Sequence, residues 1–321
     1  MRNYTMLLSL DNSSFYSLYL LYSKQVIDKK KEDRNLSTFT ELGTQKEVHL
    51  AQGTVSYREC GSGATLVFIH GLLVNGDVWR KVVPILAKNY RCIIPDLPFG
   101  SHTKALNADA DLTPPGIAQL IADFVEALNL SSVTLITNDT GGAFTQIAIT
   151  EHPQRVERLV LTDCDAYDNF LPLSLRALEW IAYIPGSIAL IGQGCKLSFA
   201  QKLTVGIVAK HPVEQQAIQS YMQPITSNKA VQRDLGKLLR GISTRYTNIA
   251  ASKFADFDKP VLLVWATEDR FFPTKYAERL LRAFPHATLK YVQDSYTFIP
   301  EDQPEQLVQH IEEFMHVLAH S

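Results

Sequence analysis

The sequence predicts an α/β protein: a mostly parallel sheet, doubly covered by helices, with an all-helical segment inserted late in the chain. Three observations carry this. Runs such as "ATLVFIH", "SVTLITND", "VERLVLTD" and "KPVLLVWA" are continuously apolar, as strands are when both their faces are buried. Segments of helical periodicity lie between or after them, and such alternation implies parallel pairing through crossovers. Between residues 168 and about 252 the rhythm breaks, and only helical patterns remain.

The elements follow in order. Residues 1–43 read as a flexible extension and linker. The apolar "FYSLYLLY" at 15–22 is too short to span a membrane and is followed by "KQVIDKKKEDR" with no small-residue cleavage site. "EVHLAQ" and "TVSYREC" are strands either side of Gly53, a hairpin signal. After the strand "ATLVFIH", "DVWRKVVPILAKN" has helical spacing, with Val78, Val82, Ile85 and Leu86 on one side despite Pro84. "YRCIIPDL" is a strand. "TPPGIAQLIADFVEALNL" is a helix capped by Thr113, with prolines in its first turn. "GAFTQIAITEH", "TKYAERLLRAF" and "EQLVQHIEEFMHVLAH" are further helices, and "TLKYVQD" is the last buried strand. In the interruption, "LRALEWIAYI" and "VQRDLGKLLRGI" are helical. The domain plan is therefore a core of 44–167 and 253–321, with 168–252 inserted as a cap.

Composition narrows the partners. The chain has 321 residues, 46% of them hydrophobic, and a net charge of −2 with both signs scattered. Such a chain can bury a sizeable core and shows no basic footprint for nucleic acid, so a small molecule is the expected partner. Membrane association is not expected, and the oligomeric state is left open. Cys60, Cys92, Cys164 and Cys195 form no C-x-x-C pair, which suggests buried free thiols in a reducing, cytoplasmic compartment. The histidines show no zinc-type spacing, and no metal or other cofactor is expected.

In open parallel sheets ligands bind beyond the carboxyl ends of the strands, so the residues leaving each strand carry the chemistry. They are "HGLL", "PDLPFGSH", "NDTGG", "ATEDRFFP" and "QDSYTFIPEDQP". From about residue 46 this pattern resembles the α/β-hydrolase superfamily, most nearly the haloalkane dehalogenase and epoxide hydrolase branch. The resemblance implies that Asp139 is a nucleophile on a sharp elbow, followed by Gly141 and Gly142. It implies an oxyanion hole from the N–H groups of Thr140 and Leu72, and an orienting acid at Asp269. The plainer readings are that Asp139 is a helix N-cap and Asp269 a solvated or capping carboxylate. A carboxylate nucleophile suits displacement at saturated carbon, giving an enzyme ester that water must then hydrolyse.

The family's water-activating histidine stands in a segment x-H-F-I-x-E-D-x-P, and here that position is Thr297, which has no group titrating near neutrality. His102 is a substitute candidate, and Asp163 is a candidate pocket residue that would orient a base in place of Asp269. Dehalogenation is disfavoured, because Thr140 and Leu72 stand where that family holds the halide with a tryptophan and an asparagine. Tyr183 and Tyr221 are the candidates for protonating an epoxide oxygen, each with ordinary packing as its plainer reading. Two functions follow. One is an enzyme acting on a small, largely apolar substrate with an incomplete triad. The other is a non-catalytic small-ligand-binding protein on the same fold.

Overall fold

Strands buried on both faces need apolar side chains throughout, and the continuously apolar runs take the centre of the sheet. The computed structural model describes residues 39–317. The expected N-terminal extension lies outside the described residues apart from 39–43, as do residues 318–321. Among the described residues one sheet has eight strands: β1 Thr44–Leu50, β2 Gly53–Cys60, β3 Thr65–Ile69, β4 Arg91–Pro95, β5 Val133–Asp139, β6 Val156–Cys164, β7 Val261–Ala266 and β8 Ala287–Val292. Their order is β1-β2-β4-β3-β5-β6-β7-β8. β1 pairs with β2, and β2 with β4, antiparallel, and all other pairings are parallel. All six residues of β7 are buried.

The chain runs from β3 outward to β4 and then returns to the other side of β3 as β5. That reversal opens a crevice at the carboxyl ends of β3 and β5, where Ile69 is in register with Thr137. The loop after β3 and the turn after β5 therefore face each other.

The helices are α1 Val83–Leu86, α2 Pro114–Ala127, α3 Thr140–Glu151, then α4 Ala177–Ile181, α5 Ser187–Gly194, α6 Ser198–Gly206, α7 Gln215–Ser227, α8 Lys229–Gly241 and α9 Thr244–Ala251, and finally α10 Thr274–Ala283, α11 Ile299–Asp302 and α12 Pro304–Val317. Thr113 caps α2 as expected, its hydroxyl accepting from Gly116 N. The six helices α4 to α9 all lie between β6 and β7, where no strand was expected. Asp234 and Leu235 of α8 reach the loop after β4, at Leu106 and Gly100.

Three expectations need correction. "DVWRKVVPILAKN" is not one helix but a 3-10 turn, Gly76–Trp79, followed by the short α1. Pro84 sits in the first turn of α1, where its missing N–H costs nothing. β8 is not a buried strand: it is the sheet edge, Tyr291 is exposed, and Lys290 reaches Glu313 at 3.6 Å. The folded body also begins before residue 44. Phe39 lies under the Arg80 guanidinium, and Leu42, in the 3-10 turn Thr40–Leu42, is fully buried. All four cysteines are free, but register brings Cys60 opposite Cys92 across β2 and β4.

Candidate active site

A strand that must turn directly into a helix passes through strained backbone, and Asp139 takes that position with φ 56° and ψ −139°. The two glycines that follow have a steric reason. A Cβ on Gly141 would lie 2.2 Å from the His70 carbonyl oxygen, and one on Gly142 would lie 2.4 Å from Cys164 Cβ. Helix α3 thus packs against both neighbouring strand ends. Gly71 is equally constrained, since a Cβ there would meet Asp139 Oδ2 at 2.1 Å.

Asp139 does not cap α3 with its side chain. Its Oδ2 instead accepts from the Leu72 N–H at 2.9 Å, across the crevice from β3. His70 holds that loop. Its Nε2 accepts from Leu97 N at 2.9 Å, so its Nδ1 carries the proton and donates to the Gly71 carbonyl, also at 2.9 Å. Burial keeps the ring neutral, its pKa pushed down to about 4. His70 is a positioning residue.

Four carboxyl groups gather here without a cation: Asp139, Asp163, Asp165 and Asp269 form no ion pair among the described residues. Burial raises the pKa of Asp139 to about 6, against the N–H groups of Leu72 and Thr140, and nearby Asp269 adds to the rise. Burial pushes Asp163 well above the carboxylate range, helped by Asp269 beside it. Both oxygens of Asp163 accept from Ala266 N, at 3.1 Å each. The Asp269 carboxyl beside Asp163 therefore favours the neutral form of Asp163. Asp165, fully buried and with both oxygens unpartnered, is raised by burial and then by Asp139. The Thr140 hydroxyl lies beside both Asp139 and Asp165.

Asp269 serves two purposes with its two oxygens. Oδ1 accepts from Phe271 N at 2.6 Å and Phe272 N at 2.8 Å, a local turn that fixes the carboxyl. Oδ2 is buried and unpartnered. Thr297 lies next to it, fully buried, with its Oγ1 also unpartnered. Its backbone carbonyl accepts from Asn138 Nδ2 at 2.8 Å, and the same amide donates to Thr162 Oγ1 at 2.9 Å. Asn138 thus ties the "SYTFIPEDQP" segment to the elbow. Sequence reading passed over Asn138, although its place before Asp139 was the available signal.

Three candidates fall elsewhere. His102 is buried against α8, its Nε2 3.3 Å from Asp234 Oδ2, and no hydrogen bond joins it to Asp139 among the described residues. Asp234 already accepts from Leu106 N and is paired with Arg233, so it fixes the histidine into the inserted helices. Tyr221 is fully buried, but its hydroxyl donates to Glu301 Oε1 at 2.9 Å, inside an Arg80–Glu301 ion pair. That hydroxyl is committed. Tyr183 is exposed, and its hydroxyl donates to the Arg240 carbonyl at 3.2 Å. Neither tyrosine is shown beside Asp139.

Comparison with known proteins agrees with this geometry. A family model described as the alpha/beta hydrolase fold matches residues 64–304. The chain is 26% identical over 253 residues to an uncharacterised hydrolase of Bacillus subtilis, covering 78% of this chain and 89% of that one. It is 25% identical over 273 residues to a cis-3-alkyl-4-alkyloxetan-2-one decarboxylase of Shewanella oneidensis, covering 79% and 83%. Its fold is similar to that of a haloalkane dehalogenase from Bradyrhizobium elkani, with TM-score 0.73, 18% identity, and coverage of 87% and 99%. No described helix is long and apolar enough to cross a membrane. A family match over most of the chain, on a sheet whose reversal sets an acid against the loop after β3, leads to one assignment: the chain belongs to the α/β-hydrolase fold family.

Proposed function

We propose that this protein is a hydrolase-type enzyme in which Asp139 displaces a leaving group from a saturated carbon of a small, largely apolar substrate. One observation carries the reading: the Asp139 carboxyl sits on a strained turn, does not cap its helix, and is held by the Leu72 N–H. The attack would leave an alkyl ester on Asp139, with Leu72 and Thr140 N–H groups ready for the oxyanion of its hydrolysis. Thr297 stands where a water-activating base belongs, so release is the slow step. Dehalogenation remains disfavoured, since Leu72 and Thr140 offer a departing halide no side-chain N–H. Residues 168–252 would act as the cap, which the approach of α8 to the loop after β4 supports. Four free thiols support a cytoplasmic setting.

A second reading is favoured by Thr297 itself, because some substrates need no water. In a four-membered lactone, attack by Asp139 at the ring C–O carbon breaks that bond and frees a carboxylate. Loss of carbon dioxide from that carboxylate then forms the alkene and expels Asp139 unchanged. The Shewanella oneidensis relative is named for a substrate of this class.

The test is incubation with terminal epoxides or alkyl bromides, followed by mass analysis of the peptide containing Asp139. An alkyl adduct, absent in Asp139→Asn, is expected. Fast diol formation with no adduct would show that another base works. Binding with neither adduct nor product would make the protein a non-catalytic binder. Alkene and carbon dioxide from a cis-dialkyl oxetan-2-one would favour the second reading.

A further inference from the structure

Of ten large apolar side chains exposed among the described residues, eight lie between 173 and 203, in and around α4, α5 and α6. These helices form an outer layer: α5 packs on α7 and α8, α4 on α8, and α6 on α7. Their inward residues are buried, such as Ile188 and Val205, while Trp180 is 76% exposed, Leu190 74% and Phe199 70%. Phe199, Lys202 and Leu203 share a face of α6 at i, i+3, i+4 spacing, and Trp180 near the end of α4 is followed by exposed Tyr183 and Ile184 in the turn that leaves it. Exposed apolar side chains concentrated on one layer of helices mark an interaction surface.

Charge decides which partner. Between 173 and 206 the only exposed charged side chains are Lys196 and Lys202. Neither forms an ion pair among the described residues. Protein–protein interface cores are depleted in lysine. At a lipid surface, by contrast, a lysine beside apolar residues extends its ammonium to the headgroups while its stem stays with the apolar face. Tryptophan and tyrosine favour the same boundary. We infer that the outer face of α4–α6 docks on a lipid bilayer carrying anionic headgroups, without entering as a span. The expectation against a membrane partner rested on the absence of a span, which this mode does not need.

The face is not flat. A hollow of about 490 Å³ opens on it, lined by Glu179, Trp180, Tyr183, Leu239, Arg240 and Ile242. An apolar molecule dissolved in the bilayer would meet this hollow directly. Docking goes beyond the chemistry proposed for Asp139, and its test involves no turnover, so either idea can fail alone.

Trp79 and Trp265 are fully buried, so the emission of the full-length protein reports on Trp180 as the exposed tryptophan. The protein should float with vesicles of phosphatidylcholine and phosphatidylserine, its emission shifting to the blue, and bind more weakly to phosphatidylcholine alone or at high salt. Phe199→Ser with Leu203→Ser should abolish flotation while the melting temperature holds, since both side chains are exposed. Lys196→Gln with Lys202→Gln should weaken binding about fivefold per lysine. Protein that never floats overturns the inference, as does flotation unchanged in both variants. So does a concentration-dependent dimer that forms without lipid binding and is lost on Phe199→Ser with Leu203→Ser, because a second copy would then be the cover.

Discussion

As the proposed nucleophile Asp139 would attack only as a carboxylate, and burial holds its pKa near 6, above that of an exposed aspartate. The sign follows directly: the reactive form is depleted below that value and complete above it. Labelling of Asp139 by an alkyl bromide should therefore rise about tenfold per pH unit up to about pH 6 and then level off. Mass analysis of the labelled peptide across this range checks it, and a rate independent of pH down to about 4.5 would mean that the carboxyl is not buried as described. At this scale the sequence was informative where a residue's neighbours in the chain define its role. The places of Asp139, Asp269 and Thr297 at the strand ends were legible because each stands in a segment of fixed pattern, while the roles proposed for them await experiment. The facing of Asp163 with Asp269 depends on strands β6 and β7 lying side by side, which no local pattern reveals. His102 and Tyr221 misled for the same reason, since Asp234 and Glu301, which hold them, are 132 and 80 residues away.

The element that matters most is the β5–α3 turn. Its glycines were expected to tolerate strain, but their contacts make them necessary for a second reason: α3 could not approach His70 and Cys164 otherwise. Gly141→Ala should destabilise the protein by about 1–3 kcal/mol and, by displacing the loop that presents Leu72, slow labelling of Asp139. Gly194→Ala is the control, because a Cβ there meets nothing within 4 Å, and it should be neutral or slightly stabilising. Denaturant melts of both variants give the comparison; equal stabilities would contradict the packing described. Most elements were legible from periodicity alone. Two exceptions have physical causes: Pro84 begins a helix rather than interrupting one, and β8 has the composition of a buried strand but only one neighbour in the sheet.

The whole molecule is arranged around the reversal at β3, which puts the strand ends with the richest loops on either side of one crevice. The succession of strands and helices implied a mostly parallel sheet but not this strand order, and it did not mark the boundary of the folded body. Three helical residues and one buried leucine before β1 are too little for periodicity to register. Compared with a chain beginning at Phe39, one beginning at Gln45 loses the burial of Leu42 and should be about 2–5 kcal/mol less stable. Equal stabilities of these two truncations, in the same denaturant series, would show that residues 39–44 contribute nothing.

If Asp139 is the nucleophile, its ester persists because Thr297 occupies the place of the water-activating base. Asp269 Oδ2, buried and unpartnered beside Thr297, is what an imidazole there would find as its hydrogen-bond acceptor. The most direct measurement is the rate at which a preformed Asp139 adduct is released, compared between the native protein and Thr297→His, both verified as folded. General-base assistance is worth about 10²–10⁴-fold, so release should accelerate by a large part of that range in the variant. Unchanged release from a folded Thr297→His protein would contradict the account.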